Sequence, residues 1–404
     1  MFTNTHYIMA ESYLIKPQLF RKMKRIIILI LISFFVKDAC AHKPSSIDSI
    51  KKNLEVDFRF NYAFILHHHY EMSGYRKHFP MFELSLQKQT YGRQSWQKFY
   101  NYPTIGVTAF YSNIGNQEVI GDAYAIYPFI SFPFNKSKVN TFGLRLGAGL
   151  GYLTEKFHHE ENPYNTYISA HFNAAISLSL EYKQQINNHL KMSIFAGLTH
   201  FSNGCTTQPN RGINIFNAGL SASYLIDHQT SYKEIANLKT DIKEEKRQIN
   251  RQIFRTFAPE FYLGLSYGVK RVEYKQRDHF SVYNLEFYAM ERVTNLSKFG
   301  IGLDLVYDAT DVIVLGKHEN NLNKYTFAQL LKPGVGLAYE LILGEMSFLF
   351  NVGYHPWGRD MSYGRIYNKL AVKGNIGKHL YGKFTLNTHL GVADFIGFGF
   401  GVRL

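Results

Sequence analysis

The sequence predicts an all-β chain, an antiparallel transmembrane β-barrel of about sixteen strands, and three observations carry that prediction. Aromatic residues make up 16% of the 404 residues, with 29 Tyr and 33 Phe against 2 Trp. Past the amino-terminal segment no apolar run reaches the roughly 20 residues that a membrane-crossing helix needs. Between Gly, Asn, Asp and Pro turns, apolar and polar residues alternate instead, as in strands with one face in lipid and the other in a polar lumen. The mean hydropathy of −0.21 fits such a chain, because lumen residues offset lipid-facing ones.

The first element is a leader. Met23-Lys24-Arg25 precedes an apolar run from Ile26 to Val36, and Ala39-Cys40-Ala41 puts small residues at the positions that cleavage reads, so Met23–Ala41 is a signal peptide. The residues before Met23 read as an over-early start, and Lys37 and Asp38 argue against lipidation of Cys40. Cleavage after Ala41 takes 6 basic and 2 acidic residues from a chain of net charge +14, leaving +10. An exported basic barrel belongs in the outer membrane of a Gram-negative-type envelope, where a positive rim complements a phosphate-rich surface such as lipopolysaccharide. Only Cys205 then remains, so no intramolecular disulfide can form. There is no nucleotide fingerprint, Gly-rich phosphate loop or zinc-ligand spacing, and no nucleic-acid partner is expected.

Strands are expected near 54–68, 80–88, 103–112, 121–133, 142–152, 166–182, 188–201 and 213–226. The clearest is Phe142 to Tyr152, whose even positions are apolar and whose odd ones are Gly or Arg. With the amino terminus in the periplasm, the turns at 135–140 and 183–189 are periplasmic and short, while the loops at 70–79, 154–165 and 203–212 are external and longer. From Asp227 to Phe257, Ile235, Leu238, Ile242, Ile249 and Ile253 recur at helical spacing in a charged stretch, which reads as an amphipathic connector. Strands resume near 260–274, 279–291, 297–308, 328–342, 346–354, 366–376, 380–390 and 394–404, with a tight turn at Leu343-Gly344-Glu345. One large barrel or two eight-stranded ones both fit, and the single amphipathic strand ending the chain favours one.

The chemistry concentrates in His200-Phe201-Ser202-Asn203-Gly204, the turn from Cys205 to Gly212, and the strand begun by Ile213-Asn214. Residues two apart on a strand share a face, so His200 and Ser202 continue the row Met192, Ile194, Ala196, Leu198, and Asn214 heads the row Phe216, Ala218, Leu220. That row faces lipid in a membrane barrel. A Ser whose proton is taken by a His, itself oriented by a third polar group, cleaves a fatty ester most simply. His200, Ser202 and Asn214 are therefore the candidate catalytic residues, with the Asn203 amide and the Gly204 N–H as candidate oxyanion donors.

The run His200 to Asn214 resembles the active-site hairpin of the PagL-type outer-membrane lipid A 3-O-deacylases, also described as acyloxyacyl hydrolases, over roughly residues 42–226. The resemblance implies His200 as general base, Ser202 as nucleophile and Asn203 as an oxyanion group, with Pro209-Asn210 and Gly212 in the family's turn. Asn214 departs from it, since these deacylases carry there a Glu that orients the His. Outer-membrane phospholipase A has a similar His-x-Ser-Asn-Gly run and uses Asn as third member, so lipid A and a phospholipid are both implied as substrates. The chemistry needs no cofactor, and a Ca2+ requirement stays open.

Weaker features remain. His67-His68-His69 and His158-His159-Glu160-Glu161 together offer metal or phosphate ligands, although solvated loop residues explain them better, and Glu160 or Glu161 is an alternative acid for His200. Phe350 to His355 echoes Phe195 to His200 with no Ser two residues on, so a second half would be structural. A porin needs a wide interior, whereas Gly143, Gly147, Gly149 and Gly151 suggest a crowded one. A purely structural barrel would leave His200 and Ser202 without a task.

Overall fold

The computed structural model describes residues 54–66, 77–90, 92, 94–135, 139–226, 258–271, 279–319, 326–358 and 364–404. The leader, the connector at 227–257 and His67 to His69 lie outside the described residues. Among the described residues no helix is long and apolar enough to cross a membrane. Sixteen strands are described, and they form two closed antiparallel barrels of eight strands each. The expectation of one large barrel is thus corrected. Closure is a pairing of distant segments, and alternation along a strand is the same whichever partner it finds.

The first barrel runs β1 (Leu54–Ile65), β2 (His78–Gln89), β3 (Thr104–Asn113), β4 (Asp122–Pro133), β5 (Asn140–Leu153), β6 (Phe172–Gln185), β7 (Leu190–Ser202) and β8 (Ile213–Leu225), with a short helix α1 (Ser95–Phe99) between β2 and β3. It closes where β8 pairs with β1, from Glu55 opposite Leu225 to Ile65 opposite Ile215. β6 starts later than the sequence suggests, because residues 154–171 fold as a turn-rich external loop whose Phe157 N–H donates to the Ile168 carbonyl (2.7 Å). Phe58, Phe60, Tyr62, Leu84, Leu86, Ile126, Ile194 and Leu220 are exposed on the outer face, an apolar surface suited to lipid.

The lumen of this barrel is filled. Arg59 pairs with Asp57 (3.0 Å) and with Glu181, while Arg145 reaches Asp57 (3.4 Å), Ser85 (2.9 Å) and Thr108 (2.7 Å) and lies 3.5 Å over the Phe129 ring. Both guanidiniums are fully buried, and matched acids with further hydrogen bonds offset the cost of taking them out of water. Toward the external end the polar filling gives way to an apolar plug that includes Phe79, Met81, Phe110, Leu153, Tyr167, Phe201, Ile213 and Ile215. Glycine makes room for it: a Cβ on Gly151 would lie 2.7 Å from the Phe201 ring, and one on Gly147 2.7 Å from Tyr127. An eight-stranded barrel is just wide enough for side chains to fill.

The second barrel runs β9 (Glu260–Lys270), β10 (Phe280–Thr294), β11 (Ser297–Asp308), β12 (Leu331–Leu343), β13 (Met346–Tyr354), β14 (Ile366–Ile376), β15 (Leu380–His389) and β16 (Val392–Arg403), closing through β16 and β9. Helix α2 (Thr310–Glu319) and a 3₁₀ turn at Phe327–Leu330 join β11 to β12. The predicted turn at Gly344 is tight, with Leu343 opposite Met346. Its lumen is also occupied by ion pairs, among them Lys369 with Glu286 (3.0 Å) and with Asp304, and Lys383 with Glu286.

Candidate active site

β7 and β8 set His200 opposite Asn214 and Phe201 opposite Ile213, while β6 brings Ile176 beside His200 and Ala174 beside Ser202. The pleat then sorts the side chains. Phe201 enters the plug with no exposed surface, and His200 and Ser202 fall on the outer face above Leu198 and Ile194. His200 Nδ1–H donates to Asn214 Oδ1 at 2.6 Å. An imidazole holding its proton on Nδ1 leaves Nε2 with a lone pair, the state a general base requires. The Leu66 N–H donates to the Asn214 carbonyl (2.7 Å) and ties this strand end to the end of β1.

Ser202 is more enclosed than the lipid-facing row suggests, at 8% exposure. The reason is the turn between β7 and β8. Gly204 and Cys205 both adopt left-handed backbone (φ +59° and +62°), reversing the chain directly after Asn203. Asn210 then comes back against the strand end: its Nδ2 donates to Ser202 Oγ (2.9 Å), and its Oδ1 accepts the Asn203 N–H (3.1 Å). The Asn203 side-chain amide donates to Ser169 Oγ (3.4 Å) in the loop before β6. Sequence reasoning placed Asn210 only in a turn, and Pro209-Asn210 carried no sign of this double contact.

The other sequence candidates lie elsewhere. Glu160 pairs with His159 (3.5 Å) and Glu161 with the half-buried His158 (3.7 Å) in the 154–171 loop. Among the described residues no group of His, Cys, Asp and Glu is arranged to hold a metal ion. His355 is buried, with Nδ1–H donating to the Pro333 carbonyl (2.9 Å) and its ring stacked on Tyr367 at 4.4 Å.

A filled eight-stranded barrel with an apolar exterior defines a membrane β-barrel, and this one carries a Ser, a His and amides at one rim of its outer face. Residues 81–223 match the lipid A 3-O-deacylase (PagL) family, and residues 259–404 match the acyloxyacyl hydrolase C-terminal domain. Together the two matches take in more than half of the chain, which belongs to the PagL family. No curated protein matches it. Among solved structures it is similar to the outer membrane enzyme PagL, at 17% identity and a TM-score of 0.29, covering 42% of this chain and 99% of that one. It is also similar to a mutant Rh. blastica porin (8% identity, TM-score 0.20, 87% of this chain and 99% of that one). An outer membrane channel from Pseudomonas putida F1 gives 8% identity and a TM-score of 0.19, over 87% of this chain and 94% of that one.

Proposed function

We propose that the chain is a serine-type lipid ester hydrolase that removes a 3-O-linked fatty acyl chain from lipid A in the outer leaflet of the outer membrane. The observation that carries this is the 2.6 Å contact between His200 and Asn214 on the outer face of β7 and β8, on the same face as Ser202. Ser202 Oγ attacks the ester carbonyl as His200 Nε2 takes its proton, and the Nδ1–H to Asn214 bond keeps the imidazole in the tautomer that can accept it. Negative charge on the carbonyl oxygen is met by the Gly204 N–H and by the amides of Asn203 and Asn210, where losing one donor costs about 3 kcal/mol. His200 then gives that proton to the departing sugar oxygen, which leaves as a hydroxyl, and a water activated by the same His releases the fatty acid from Ser202. Side chains and backbone amides suffice for each step, so no cofactor is invoked. The family match supports lipid A as the substrate.

A diacyl phospholipid is the second reading, favoured by one observation. Asn214 supplies an amide to His200, the third member that outer-membrane phospholipase A uses. Mass spectrometry of lipid A from membranes with and without the protein decides between them, with phospholipid and lysophospholipid measured in the same extracts. Deacylated lipid A is expected with the wild type and not with Ser202→Ala, whose rate should fall by about three orders of magnitude or more. Unchanged lipid A with accumulating lysophospholipid selects the phospholipase, and Ser202→Ala keeping more than about a tenth of the rate removes the nucleophile assignment.

A further inference from the structure

We propose that Gly212 is a positioning residue for His200: its backbone, fixed by the Tyr167 carbonyl, closes against the Cε1 edge of the imidazole and limits how far Nε2 can swing from Ser202. The proposal rests on the reading of His200 as general base. The Nδ1 hydrogen bond to Asn214 holds one edge of the ring through a neutral amide. The Gly212 backbone meets the opposite edge. A Cβ on Gly212 would lie 2.7 Å from His200 Cε1, 3.4 Å from its Nε2 and 3.2 Å from the Phe201 carbonyl oxygen. The backbone at 212 therefore already lies against the ring, with no room for a methyl group between them.

Gly212 is also held from outside β7 and β8. Its φ of +73° is a left-handed turn conformation, and its N–H donates to the Tyr167 carbonyl (3.0 Å). Tyr167 is wholly buried in the apolar plug. The neighbouring Asn165 accepts the Ile168 N–H (3.3 Å) and donates to the Val119 carbonyl (2.8 Å), so this wall is anchored to two external loops. The imidazole is thus held between Asn214 at Nδ1 and Gly212 at Cε1. A misplacement of about 1 Å in such a group costs on the order of 100-fold in rate.

The test compares purified full-length wild type with Gly212→Ala and Gly212→Asn, each checked for the heat-modifiable gel migration of a folded barrel. Asn tolerates a left-handed backbone yet carries the same Cβ, so both variants should lose about 100-fold in kcat with KM within about threefold. The limb of the pH profile that reports His200 should move, and the imidazole 15N signals of His200 should shift. Gly115→Ala introduces a methyl at another left-handed glycine (φ +68°) in the loop between β3 and β4, and should keep wild-type kcat. A Gly212→Asn variant with wild-type kcat would assign the effect to backbone strain and overturn the proposal. So would unmoved His200 signals in a folded, slowed variant, or an equal loss in Gly115→Ala. If the wild type cleaves no lipid ester and a fluorophosphonate does not capture Ser202, the hydrolase reading fails, while the His200 ring signals of the two variants still decide the contact.

Discussion

At position 214 an amide stands where a carboxylate would stabilise an imidazolium best, and that choice sets what substitutions there do. Removing the acceptor with Asn214→Ala should cost about 1 kcal/mol of transition-state stabilisation, a loss of about five- to tenfold, because the Ser202 and His200 pair survives. Asn214→Glu should keep or raise the rate, since a negative acceptor favours the charged ring. The opposing term is desolvation of a carboxylate near lipid, which is milder at the rim than at mid-membrane. Hydrolysis rates of both variants on lipid A and on a diacyl phospholipid check this. Wild-type rates for Asn214→Ala on both substrates would mean that another group orients His200. At this scale His200, Ser202 and Asn214 were legible because they follow from a period of two and one hairpin register. Asn210 was not, since its reach to Ser202 depends on how seven intervening residues fold.

Among the elements, the helix α2 carries a pH dependence of its own. Asp311, in its first turn, is buried beside Asp308, and burial first and that neighbouring carboxylate second push its carboxyl up from 3.8 to about 7, against the pull of Lys332 at 3.1 Å. A raised carboxyl favours the protonated, folded form. Its contribution to stability is therefore complete below about pH 4 and is lost as pH rises toward 7. Limited proteolysis of the segment around α2 should accelerate from pH 5 to pH 8, and Asp311→Asn should flatten that rise. A cleavage rate independent of pH in the wild type would contradict it. The sequence showed the strands on either side but not this helix, because a ten-residue segment with weak apolar periodicity is placed by the packing of Phe280, Tyr307, Ala309 and Leu330 at its base.

Over the whole molecule, each barrel is a closed sheet around charges matched inside it. Glu181 shows how closely, since it holds Arg59, Lys183 (2.7 Å) and Ser131 at once. Glu181→Ala leaves buried positive charge uncompensated, and about 3–5 kcal/mol of stability should go with it. A lowered temperature for the heat-modifiable gel shift measures this, and an unchanged temperature would show that water reaches the lumen. The two barrels also differ in the connection between their last two strands. In the first, ten residues separate β7 from β8, enough to place Ser202, Asn203 and Asn210 together. In the second, Leu390-Gly391 joins β15 to β16 directly, so His389, which meets Asp394 at 3.7 Å, is followed two residues later by Gly391 and not by a nucleophile.

The sequence by itself determined the strands and their faces, and put His200 and Ser202 on one of those faces, because alternation along a strand and a His-x-Ser spacing are local properties written every second residue. Only the tertiary structure decided that sixteen strands close as two barrels, since the pairings of β8 with β1 and of β16 with β9 join segments more than a hundred residues apart. It also decided the surroundings of His200 and Ser202. Asn210 against Ser202, and Gly212 pinned by Tyr167 against His200, are contacts that loop residues make with the end of β7, and loop positions follow from the plug beneath them rather than from any period in the chain.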